Sequence, residues 1–82
     1  MSLRETGKFD SNNKPIYEND VLYNRCSGYK YTVKYGDFII TYTKDFPIKC
    51  LGFYVEYIDL LDNTKCIDSF AMLNLKNLEK EV

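Results

Sequence analysis

Eighty-two residues make one domain, and a chain that short buries only about 60–65% of its unfolded surface. Its 45% hydrophobic content, with 8 tyrosines and 5 phenylalanines, excludes a disordered composition, and a net charge of −1 excludes the strongly basic footprint of a general polyanion binder. There is no histidine, which removes Ser–His, Cys–His and Glu–His chemistry.

Arg4–Phe9 is polar with one glycine and is expected to be a mobile or edge segment. Asp10-Ser11-Asn12-Asn13 is a turn cluster whose short side chains bond their own backbone, and Pro15 disfavours helix at Lys14, so the chain leaves the turn extended. Ile16 and Tyr17 form the first apolar pair, Glu18-Asn19-Asp20 is a second turn, and Val21-Leu22-Tyr23 opens a strand. From Tyr29 to Tyr35 residues alternate, with Tyr29, Tyr31, Val33 and Tyr35 on one face and Lys30, Thr32 and Lys34 on the other. Gly36-Asp37 then reads as a two-residue hairpin turn into Phe38–Thr43, with the register Tyr35–Phe38, Val33–Ile40 and Tyr31–Tyr42.

Lys44–Lys49 is expected to be a loop. Cys50–Ile58 follows as a strand with Leu51, Phe53, Val55 and Tyr57 on one face, and Gly52 inside it signals a bulge or a close backbone approach. Asp59–Lys65 is a turn and Cys66–Phe70 a fifth short strand. Leu75, Leu78 and Val82 sit at i, i+3 and i+7, which suits a short helix or 3₁₀ segment in the tail. The expected architecture is a single all-β domain over 1–82, a small SH3-like or partly open barrel of about five strands.

The stretch TGKFDSNNKPIYENDV resembles the opening of the YopX-like family of phage and prophage proteins, roughly T-G-x-x-D-x-N-G-K-x-I-Y-E-G-D-I-V. Thr6, Gly7, Asp10, Asn12, Lys14, Ile16, Tyr17, Glu18, Asp20 and Val21 match, while Asn13 and Asn19 stand where the family usually has glycine. Asparagine is the next residue after glycine to accept a left-handed backbone. Leu73–Glu79 is similar to the segment before the family's closing G-N-I-Y-E-N signature, which this sequence lacks. What the resemblance implies is a phage-derived, mostly β protein of the bacterial host cytoplasm with no catalytic residues to carry over.

Few residues invite chemistry. Glu56, Asp59 and Asp62 are the nearest carboxylate cluster, better explained as turn-forming and solubilising acids than as an acid–base pair. Cys26, Cys50 and Cys66 have neither metal-ligand spacing nor an apolar leader ahead of them, and read as reduced thiols. The Asp10–Asn13 head fails as a calcium loop, because Lys14, Pro15 and Val21 occupy positions that need oxygen ligands or glycine. No cofactor is called for, and no apolar run approaches the ~20 residues of a membrane-spanning helix.

Nucleic acid is the sharper possibility, since Tyr29, Lys30, Tyr31, Lys34 and Tyr35 combine aromatics with charge. Alternation puts those two types on opposite faces of the strand, against a stacking groove. Protein contact is favoured instead, because so many aromatics exceed what a small core can hide and an unpaired sheet edge invites a partner or a second copy. Tyr54, Tyr57, Cys66 and Phe70 are the residues expected at that surface.

Overall fold

The computed structural model describes residues 4–41 and 46–81. Among the described residues are seven strands: β1 (Glu5–Phe9), β2 (Pro15–Tyr17), β3 (Val21–Asn24), β4 (Lys30–Thr41), β5 (Pro47–Ile58), β6 (Lys65–Ser69) and β7 (Leu78–Lys80). Two 3₁₀ turns, Phe70–Met72 and Leu75–Asn77, lie between β6 and β7. The chain is all-β: β1 and β2 pair by themselves, and the other five strands form one curled half-barrel in the order β6-β5-β4-β3-β7, each antiparallel to its neighbours.

Each short strand forms where the turn chemistry releases it. Asp10 accepts the Asn12 and Lys14 amides on Oδ1 at 2.9 and 2.7 Å, closing the turn between β1 and β2. Asp20 Oδ2 accepts the Tyr17 amide at 2.8 Å and closes the next turn. Asn13 and Asn19 adopt φ of 64° and 75°, the left-handed conformation that glycine usually supplies. The core that results is narrow. Ile16, Leu22, Val33 and Val55 are wholly buried and are joined by Leu78 and Phe70, with Tyr31, Phe53, Leu73 and Leu75 packed against them.

Two expectations need correction. Gly36-Asp37 is not a hairpin turn, because β4 runs straight through it and pairs with β5 in one uninterrupted register from Thr32–Glu56 to Thr41–Pro47. Tyr35 therefore faces Phe53, Val33 faces Val55, Phe38 faces Cys50 and Ile40 faces Ile48. Tyr42 and Thr43, and the first two residues of the expected Lys44–Lys49 loop, lie outside the described residues, while Pro47, Ile48 and Lys49 belong to β5. The physical reason is that a twelve-residue partner satisfies more backbone groups than a two-residue reversal would. Gly36 and Gly52 stand opposite each other with φ of 148° and 147°, so the ladder can twist where neither strand carries a side chain.

The tail is the second correction. A 3₁₀ turn forms at Leu75–Asn77 as expected, but Leu78–Lys80 continues as a strand rather than a helix, paired with β3 as Leu22–Lys80, Tyr23–Glu79 and Asn24–Leu78. Leu78 is thereby carried into the core at 2% exposure. The Arg4–Phe9 arm becomes the edge strand β1, bulged between Glu5 and Phe9.

Candidate functional site

The residues between Thr6 and Val21 hold the molecule closed. Asp10 is 6% exposed, the one buried charged side chain among the described residues. Besides its two turn amides it accepts the Lys80 amide on Oδ2 at 2.8 Å, while the Ser11 amide donates to the Leu78 carbonyl at 2.8 Å. Burial alone would raise the Asp10 pKa, but the amides of Lys80, Lys14 and Asn12 hold the carboxyl below its ordinary value. Lys80 Nζ returns the tie, reaching Asp20 at 3.0 Å and the Pro15 carbonyl at 2.9 Å. Thr6 donates to the Ile16 carbonyl at 2.9 Å, the Gly7 backbone sits at φ 78°, and Asn12 reaches Glu79 at 3.4 Å. Tyr17, Glu18 and Val21 are half-buried around this clasp, and Lys14 is exposed. Its work is structural, with two carboxylates spent on backbone amides and one lysine.

The expected contact residues separate. Phe70 is 7% exposed and belongs to the core, so it is withdrawn from any surface role. Tyr54 and Tyr57 fall on opposite faces of β5, because the strand alternates between them. Tyr54 lies tilted against Phe38 at 5.1 Å between centroids. Tyr57 packs edge-on against Tyr31 and Tyr29 at 5.0 and 5.7 Å and donates to Asp68 at 3.2 Å. Burial, then the Asp68 carboxylate, push the Tyr57 phenol well above its ordinary pKa. Cys66 is half-buried on β6, whose outer margin has no partner strand among the described residues. All three cysteines are free.

The three carboxylates do not converge. Asp59 Oδ1 accepts the Leu61 and Asp62 amides at 2.8 and 3.1 Å and closes its own turn, leaving Asp62 exposed. Glu56 lies across the sheet in an ion pair with Lys65 at 2.9 Å, which raises the Lys65 pKa. That pair rims a groove of ≈ 440 Å³ with Val21, Thr32 and Ile58 in its wall, and a second pair, Lys30–Glu81 at 3.0 Å, closes the other rim. Each acid in the groove meets a lysine, so the charges there are balanced in place. Lys34 is held by the Asn19 side chain at 3.2 Å. Thus the lysines that interleave with tyrosine in sequence are spent on Glu81 and Asn19, on the face away from Tyr31 and Tyr57.

The surface that sequence reasoning missed is the far half of the β4–β5 ladder. β3 reaches β4 only as far as Thr32, with Val33 capped by Asn19 and Asp20, and β6 meets β5 only from Tyr54 onward. Residues 36–41 and 47–52 therefore pair with each other alone, as a two-stranded ribbon. On one of its faces the register sets Asp37 beside Leu51 and Ile39 beside Lys49, and all four are exposed. Leu51 is 71% and Ile39 58% exposed. The other face covers itself in part, with Phe38 under Tyr54 and Ile40 at 8%. The signal was present in sequence as a change of phase. Apolar residues fall on odd positions up to Tyr35 and on consecutive positions at Phe38-Ile39-Ile40, which in an unbroken strand means that apolar side chains leave from both faces.

Among the described residues no group of acids, cysteines or histidines could hold a metal ion, and no helix is long and apolar enough to cross a membrane. Comparison of the chain with protein-family models, with curated proteins and with solved structures found no match in any of the three.

Proposed function

We propose that this chain is a non-enzymatic interaction module, a YopX-like protein of phage or prophage type in the host cytoplasm, acting by protein–protein contact and associating with itself. The observation that carries the reading is the open margin of the sheet: β4 and β5 outrun both neighbours and leave Ile39, Ile48 and Leu51 in water. Apolar groups held on a strand ladder and kept from the core are what interfaces cover, and unpaired strand edges add backbone donors and acceptors to them. The family resemblance is supported by the left-handed backbone at Asn13 and Asn19, the two positions where the family carries glycine.

A nucleic-acid-binding barrel is the lesser reading, because Lys30 and Lys65 are already ion-paired and would have to surrender Glu81 and Glu56 to phosphate. Size exclusion with light scattering tests the preferred one. Self-association gives a mass at least twice the 9.7 kDa of the chain, falling on dilution, and a single species of monomer mass at every concentration removes it.

A further inference from the structure

Resting on that reading, we propose that two copies of this chain pack the open faces of their β4–β5 ribbons against each other about a two-fold axis, with Ile39 and Leu51 at the centre and Asp37 of each copy against Lys49 of the other.

Register and exposure lead to the arrangement. Asp37, Leu51, Ile39 and Lys49 form a two-by-two array in which the apolar pair occupies one diagonal and the opposite charges the other. Neighbouring strands are about 4.8 Å apart and alternate residues of one strand about 6.8 Å apart. Rotation by 180° about the Ile39–Leu51 diagonal lays Ile39 on Ile39 and Leu51 on Leu51, and brings each Asp37 over the partner copy's Lys49 within reach of its side chain. On those spacings the two ribbons cross at roughly 70°, in the orthogonal class of sheet packing. Turning about either strand-parallel or strand-perpendicular axis instead sets each charge on an apolar side chain, and turning about the charged diagonal stacks Asp37 on Asp37 and Lys49 on Lys49. The array is therefore complementary to itself in one orientation, which is what an isologous interface requires.

Strand addition to the ribbon's edges is the competing geometry. It satisfies backbone groups but leaves Ile39 and Leu51 in water, since side chains stand perpendicular to the sheet. Face packing removes both from solvent. Among the described residues Asp37 and Lys49 take part in no ion pair within the chain, so neither needs to be released.

Complementary charge variants test this without reference to intrachain effects. Asp37→Lys makes a ribbon with only positive charge and Lys49→Asp one with only negative charge, so each variant alone should self-associate at least about tenfold more weakly than the wild type. Mixed one to one they should recover a heterodimer near wild-type affinity, although each chain still carries its own like-charge pair. Both substitutions are on exposed positions, and an unchanged thermal melt of each variant at low concentration verifies the fold. Leu61→Ser, at a side chain 93% exposed and off the ribbon, should leave association as it was. A wild type that dimerises while both variants dimerise equally well, or a mixture that fails to recombine, overturns the ribbon interface and leaves self-association standing. A wild type that is monomeric throughout overturns the reading beneath it as well.

Discussion

Asp10 concentrates more of the fold than any other single side chain, because one buried carboxylate accepts amides from the turn it belongs to and from the strand that closes the sheet. Replacing it by alanine orphans three N–H groups, and we expect Asp10→Ala to lose about 3 kcal/mol of stability in urea unfolding, on the scale of unsatisfied buried donors. The pH dependence follows in sign. A carboxyl whose folded pKa lies below its ordinary 3.8 contributes stability that is complete above that value and is lost as pH falls through the folded pKa. The wild type should therefore weaken on acidification below about pH 4, and Asp10→Asn should weaken less steeply over the same range, as followed by thermal melts. At Asn19, held at φ 75°, a β-branched residue should cost about 1–2 kcal/mol and glycine almost nothing. The backbone demand at Asn13 and Asn19 was legible in the sequence because a turn is local chemistry. The Asp10–Lys80 bond was not, since it joins residues seventy apart, and no pattern of neighbours reports it.

Strands rather than residues explain the misplaced hairpin. A glycine followed by aspartate between two β-rich runs carries the same residues whether the chain reverses there or passes through, and the deciding fact, a twelve-residue partner further on, is non-local. What sequence did convey was alternation: Val33 and Val55 are fully buried and Lys30 exposed. β6 was likewise readable, within a residue at each end. β7 was missed because three residues cannot declare a period, and Leu75 and Leu78 share a helical spacing by accident of one turn and one strand meeting. The paired glycines give this scale its test. No atom lies within 4 Å of a Cβ built at Gly36 or at Gly52, so any penalty for alanine comes from the positive φ and not from crowding. Each of Gly36→Ala and Gly52→Ala should cost about 1–2 kcal/mol by chemical denaturation. A neutral result at both would mean that the ladder does not need its glycine pair to twist.

For the molecule as a whole, the ribbon is the part least supported by the rest, and backbone direction there makes the mode of association measurable. The Val33 amide donates to Asp20 and its carbonyl accepts from Asn19, so odd residues of β4 direct their N–H groups away from β5 and even residues toward it. By the same alternation the amides of Phe38, Ile40, Ile48 and Cys50 close the ladder, whereas those of Asp37, Ile39, Lys49 and Leu51 point out of its two edges. A radius of gyration of 12.9 Å, against about 12 Å for a compact chain of this length, fits a ribbon that extends from the packed part. Residue-resolved hydrogen exchange should then show protection alternating along 37–40 and 48–51 in the monomeric Asp37→Lys variant, slow at even positions and fast at odd ones. On self-association through the ribbon faces the odd amides remain the faster set, because both edges stay unpaired. Growth of the sheet by strand addition would instead bring the odd amides of one strand, Asp37 with Ile39 or Lys49 with Leu51, up to the protection of the even ones, and that outcome would replace face packing with edge pairing as the way this fold meets its partner.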